Sequence, residues 1–167
     1  MKRASLKLNN MTTKGFSIVE IVVAFALISA VIVSLPHIGV LSLRLSTLAS
    51  NRVQATFLLS EGIEVTRFLR DDGWSTHLEP TTLDTDYFIS FDGSRYQLTL
   101  TEPPFLNEKF QRTLRFSQVL RNGQDDIDTI GAIDPLTKKV VVKVLWDERG
   151  ATTTESVEFY ITNLFNN

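Results

Sequence analysis

The chain has 167 residues, 43% of them hydrophobic and 22% charged, which is room for one modest folded domain and one appendage. It contains no cysteine, which excludes disulfides, thiolate zinc sites and a cysteine nucleophile, and His37 and His77 are too few for most histidine-rich metal centres. The net charge of −2 is unevenly spread: Lys2, Arg3, Lys7 and Lys14 fall in the first fifteen residues, where there is no acid, and all 19 Asp and Glu lie beyond. Such an acidic body lacks the clustered basic face that phosphate attraction needs, so nucleic acid is not an expected partner.

Residues 1–15 thus read as a basic leader. From Phe16 to Leu43 the chain runs FSIVEIVVAFALISAVIVSLPHIGVLSL, with Glu20 as its only acid and no Lys or Arg. As a helix, this segment would be roughly 42 Å long against a hydrocarbon core of about 30 Å, enough to span a bilayer with its last turns emerging. The bases before it favour a cytoplasmic N-terminus and send the body to the other side. An ordinary secretory signal peptide shares the basic head and apolar run, and Ala24-Phe25-Ala26 offers an A-x-A-like site. Against that reading, Glu20 interrupts the apolar run, and the run continues well past Ala26. A carboxylate at that depth costs about 2.5–3.5 kcal/mol on insertion scales, so Glu20 calls for a partner.

Lys14-Gly15-Phe16-Ser17-Ile18-Val19-Glu20 resembles the cleavage and methylation motif of type IV prepilins, a glycine, then Phe, then Glu further along the same stretch. The resemblance implies that a membrane-embedded prepilin peptidase cuts between Gly15 and Phe16 on the cytoplasmic side and N-methylates Phe16. It also implies that Glu20 stays in the membrane, pairs with the terminal ammonium of a neighbouring subunit and sets the axial register. The residue chemistry is consistent with this. Gly15 lets a protease approach its carbonyl closely, a cut there discards the basic leader but keeps the anchor, and an ion pair satisfies two charges in a low-dielectric medium. Pro36 removes a backbone hydrogen bond and predicts a kink or local opening of the helix, with Gly39 close behind. Pilins of this family often carry a proline or glycine at comparable depth. His37 reads as an interfacial or filament-packed side chain.

Beyond Arg44 the composition shifts while helical periodicity persists. Leu48, Ala55, Leu58, Gly62, Val65 and Leu69 fall on one face, and Arg52, Glu61, Glu64, Arg67 and Arg70 on others, with Glu64 and Arg67 spaced to pair. One helix from about Phe16 to Arg70 is therefore predicted, its half at 16–43 in the membrane or a filament core and its half at 44–73 amphipathic. Asp71-Asp72-Gly73 is expected to end it, with Gly73 as a left-handed cap. LLSEGIEVTRFLRDDGW also resembles minor pilin-like proteins that carry an E-G-I-E-V-x-R segment before D-x-x-W. Gly62 equally reads as a place where a strand packs closely, and Trp74 as a core anchor.

Residues 74–167 read as β structure. A polar loop from Ser75 to Thr85 precedes a hairpin of Tyr87–Phe91 and Arg95–Leu100 around an Asp92-Gly93 turn. Glu102-Pro103-Pro104 stops it, Phe110 to Leu120 alternates as another strand, and a long loop is expected from Arg121 to Pro135. Lys139 to Trp146 alternates apolar and charged residues, Asp147-Glu148-Arg149-Gly150 turns the chain, and Val157, Phe159 and Ile161 return on one face. The expected class is α+β: an antiparallel sheet of about five strands, packed by one face on the amphipathic half of the helix. Its outer face carries Lys143 and Glu158, and the resemblance implies the family's lollipop shape.

Asp125, Asp126 and Asp128, with Asn122 and Asp134 nearby, form the densest acidic cluster. Calcium takes carboxylate oxygens, but the spacing matches no EF-hand loop, and acids in a surface loop are usually just solvated. Neither histidine lies in a nucleophile motif, and there is no P-loop or G-x-G-x-x-G. No catalytic residue, metal or cofactor is expected; the chemistry is done to this chain by its peptidase. What the resemblance implies is a structural subunit of a type IV pilus-like filament, with other pilin or pseudopilin subunits as partners. It would travel from the cytoplasmic membrane to an extracellular or periplasmic filament. Lack of a cysteine-bounded C-terminal loop, common in many major pilins, tilts the reading to a minor subunit. Alternatives are a pseudopilin of a type II secretion or DNA-uptake machine, a tip-located adhesin or binding module, and an anchored domain that never assembles. The binding module is ranked lower because the sequence shows no strong aromatic-rich exposed patch.

Overall fold

A computed structural model of the chain describes residues 15–165, so the basic leader up to residue 14 lies outside the described residues. Two compact units are present, one ending at Thr47 and one beginning at Leu48. The helix α1, Ile18–His77, contributes to both.

Within the first unit, every described residue of α1 is exposed. By length and composition this helix is long and apolar enough to cross a membrane. A helix that is apolar all round needs an apolar surrounding, and the described chain supplies none for it.

In the second unit α1 buries Asn51, Ala55, Gly62, Val65, Thr66, Leu69, Gly73 and Trp74. That face packs on antiparallel strands: β1 (Asp86–Phe91), β2 (Tyr96–Thr99), β3 (Phe110–Arg121), β4 (Ile127–Asp128), β5 (Ala132–Glu148) and β6 (Ala151–Thr162). They form a six-stranded sheet in the order β2-β1-β3-β5-β6, with β4 pairing on β3. The α+β class and one-face packing are as the alternation predicts. Every second residue of β5 from Lys138 to Trp146 is buried, as are Phe110, Arg112, Leu114 and Phe116 of β3. Register sets Phe110 opposite Trp146, Leu114 opposite Val142 and Phe116 opposite Val140, so large side chains meet across the strands where they stabilise a sheet most. Gly62 lies at the closest approach of helix to sheet: a Cβ there would stand 2.7 Å from Val142 Cγ1 and 3.4 Å from Arg112 Cδ. The geometry therefore favours a packing role for this glycine.

Beyond shifts of one or two residues at strand and helix ends, three stretches depart from the prediction. The helix does not end at Gly73. That residue (φ 150°, ψ 106°) breaks the helical geometry, and a further turn runs to His77. The extra turn brings Trp74 and Leu78 into the core, at 2% and 0% exposure, and burial of that size outweighs the local stop signal. The loop from Arg121 to Pro135 is shorter than expected. Asn122 Oδ1 accepts the amides of Gln124 and Asp126, an Asx-type turn that lets Ile127 and Asp128 pair back on Arg121 and Leu120. Pro135 is accommodated where the β3–β5 register shifts between Gln118 and Val119. The last turn is tighter, because Glu148 already pairs with Ala151. Arg149 and Gly150 have φ of 60° and 78°, the left-handed pair of a two-residue hairpin turn.

Candidate functional site

Gly15 and Phe16 precede the helix, and Glu20 falls in its first turn. Phe16, Glu20, Ile21, Ala24, Phe25 and Ile28 line one open apolar cavity of about 390 Å³. Two of the predicted site residues, Phe16 and Glu20, are thus on one wall. Among the described residues the Glu20 carboxylate makes no hydrogen bond or ion pair, and Phe16 is 80% exposed. Among the described residues, a Cβ on Gly15 would meet nothing within 4 Å, so they leave room for a side chain there.

Pro36 lies apart from these, about 24 Å further along the helix axis. The backbone keeps helical angles there, so the predicted local opening is not seen; inside α1 the angles depart at Gly73 instead. Proline costs the ladder the one bond its missing N–H would make, and the flanking turns keep theirs. His37 Nδ1 bonds the Val33 carbonyl of its own helix at 3.0 Å.

The acidic cluster is spent on local structure. Arg121 Nε donates to Asp134 at 2.7 Å and lies 3.7 Å from Asp125. Asp128 accepts the Thr129 amide and the Asn122 side-chain amide, which hold its carboxyl below the ordinary value. Among the described residues, no three metal-ligating side chains converge on one point.

Two buried charges and an aromatic cluster stand outside the predicted site. Lys138 lies in phase with Val140, so the alternation of β5 turns it inward. Its Nζ donates to the Leu78 and Glu79 carbonyls and to Thr81 Oγ1, tying the end of α1 to the sheet. Arg112 is likewise buried; it donates to the Leu58 carbonyl and pairs with Glu61 at 2.9 Å. The strand period carries a signal for both, which the rarity of buried charge masks. Phe68 of α1 and Phe91 of β1 both contact the Tyr96 ring, at centroid distances of 6.2 and 5.0 Å. Phe68 and Phe91 are 47% and 57% exposed, so the body does carry a partly exposed aromatic cluster, contrary to expectation. Residues far apart in sequence build it, which is why no local run announces it.

Beside that cluster lies a polar cavity of about 480 Å³ between the end of α1, the turn after it and the β1–β2 hairpin. His77, Tyr87, Asp92, Arg95, Tyr96 and Gln97 are among its walls.

No protein-family model, curated protein or solved structure matches this chain.

Proposed function

We propose that this chain is a structural subunit, of the minor kind, of a type IV pilus-like filament. It is made as a precursor, cut by a prepilin peptidase between Gly15 and Phe16, and N-methylated on Phe16. The observation that carries the reading is Glu20, which has no partner among the described residues, in the first turn of an apolar helix that begins two residues after Phe16. A carboxylate there is costly in lipid unless another charge meets it. A freed terminal amine from a neighbouring subunit supplies that charge, and the helix end adds a favourable field for an acid. The chain sits in the cytoplasmic membrane with its N-terminus inside and its sheet outside until it joins the filament. No catalytic role belongs to this reading.

The test is the N-terminus of the protein recovered from sheared surface fibres. Mass spectrometry is expected to find N-methylated Phe16, and a mature end beyond Glu20 would overturn the proposal. Replacing Gly15→Ala is expected to leave an uncut precursor in the membrane. Because the described residues leave open space at that position, such a block reports the peptidase and not misfolding. Glu20→Ala is expected to be processed normally but to be lost from fibres; equal incorporation of this variant would remove the pairing argument. Abundance in fibres relative to the principal subunit separates a minor pilin from a major one, and assembly only within a secretion or DNA-uptake machine marks a pseudopilin.

A further inference from the structure

The polar cavity beside the end of α1 has about 480 Å³, within the roughly 300–1,000 Å³ range of small-molecule sites. Separate elements wall it: His77 closes α1, Tyr87 belongs to β1, and Arg95, Tyr96 and Gln97 lead the chain into β2. These groups are pre-positioned. The Asp92 carboxylate accepts the Ser94 and Arg95 amides at 2.9 and 2.8 Å and the Gln97 side-chain amide at 3.0 Å. The Tyr87 hydroxyl accepts the Thr82 amide at 2.7 Å, and His77 Nε2 bonds Asp72 at 2.9 Å. The ring of Tyr96 is seated by Phe68 and Phe91.

What remains unused decides the ligand. Among the described residues, the Arg95 guanidinium and the Tyr96 hydroxyl make no hydrogen bond, and the Gln97 side-chain carbonyl accepts none. Donors and an acceptor are therefore both on offer. Charge is balanced as well: the walls hold one carboxylate, Asp92, whose ionised form the Arg95 and Ser94 amides favour, and one guanidinium, Arg95, whose positive charge acts on that carboxylate. An anion entering here meets Asp92, and a cation meets Arg95. A hydroxyl both donates and accepts, so a molecule bearing several hydroxyls suits this set. A sugar also presents C–H faces that lie against aromatic rings.

We propose that this cavity binds a neutral saccharide unit, with Arg95, Gln97 and the Tyr96 hydroxyl as its hydrogen-bonding set. This does not depend on the filament reading, since a sugar site on the sheet unit stands whether or not the chain assembles.

The experiment titrates the full chain in detergent micelles by saturation-transfer NMR. The probes are neutral hexoses, their methyl glycosides and N-acetylhexosamines, with glucuronate as the anionic comparator. At least one neutral sugar is expected to bind with a Kd of about 1 mM or tighter. A preference for methyl glycosides over free hexoses assigns the site to the end of a glycan chain, and equal binding assigns it to free sugar. Arg95→Gln and Tyr96→Phe are each expected to weaken binding about tenfold, as loss of a hydrogen bond to a bound group does. Neither change disturbs the fold, because Arg95 is exposed and Phe keeps the ring contacts. Lys143→Gln, on the opposite sheet face, is expected to bind as wild type. Three results would each overturn the proposal: no binding by any neutral sugar at about 10 mM, glucuronate binding as tightly as the best neutral sugar, or an Arg95→Gln/Tyr96→Phe double variant that binds like wild type.

Discussion

At Gly62 a hydrogen atom in place of a methyl group sets how close helix and sheet come. A Cβ would lie 2.7 Å from Val142 Cγ1, and Val142 is fully buried and β-branched, so it has little freedom to turn aside. Gly62→Ala is expected to cost about 1–3 kcal/mol by overpacking. The urea midpoint of the full chain in detergent would show it, and adding Val142→Ala should recover part of the loss, because the second change vacates the space the first one claims. Its sequence neighbours make Gly62 visible as an interruption of an apolar face, but not what it faces. Lys138 shows the opposite case. The strand period places it inside, yet only the end of α1 explains why an ammonium belongs there, since Leu78, Glu79 and Thr81 supply its oxygens.

Elements are legible where local chemistry and burial agree. The Asp92-Gly93 turn is present as expected, with the Asp92 carboxylate capping the turn amides. The Arg149-Gly150 turn falls where the sequence predicts but is shorter, because Asp147 and Glu148 look like turn residues and are in fact paired strand residues. Arg149 holds φ 60° there, a conformation that asparagine adopts more readily than arginine. Arg149→Asn is thus expected to raise stability, by no more than the roughly 1–2 kcal/mol that the left-handed conformation costs an ordinary L residue, seen as a higher melting temperature. The β3–β5 loop resolves into paired residues held by Arg121 and Asp134. Burial works to raise the Asp134 carboxyl, but the Arg121 guanidinium, the Thr137 hydroxyl and the Leu136 amide outweigh it and hold the group below its ordinary 3.8. A carboxyl held lower in the folded than in the unfolded chain stabilises fully above the unfolded value and loses that contribution as pH falls through the folded one. Urea midpoints measured from pH 7 down to about 2 should therefore fall less steeply below about pH 4 in Asp134→Asn, which starts from lower stability at neutral pH.

For the whole molecule, the division into a unit ending at Thr47 and one beginning at Leu48 has a physical basis. The buried hydrophobic core runs from Ala55 to Ile161, entirely within the second unit. A fragment beginning at Leu48 is expected to unfold cooperatively with a melting temperature close to that of the full chain in detergent. A fragment without a cooperative transition would mean that the apolar half supports the fold. The full chain, by contrast, should stay in the membrane fraction until detergent is added, because side chains such as Ile18, Val33 and Leu43 are more than half exposed and water is a poor solvent for them.

By itself the sequence determined the apolar N-terminal helix, its continuation as an amphipathic face, the antiparallel strands and the motif around Gly15, Phe16 and Glu20. All of these are local: they depend on composition, on periods of 3.6 and 2.0 residues and on neighbouring residues. Tertiary structure alone decided that the helix outruns Gly73, which oxygens the buried Arg112 and Lys138 bond to, and that Phe68, Phe91 and Tyr96 meet beside a polar cavity. Those outcomes depend on which distant surfaces come together, and burial against a partner can outweigh a local stop signal or the usual exposure of a charge.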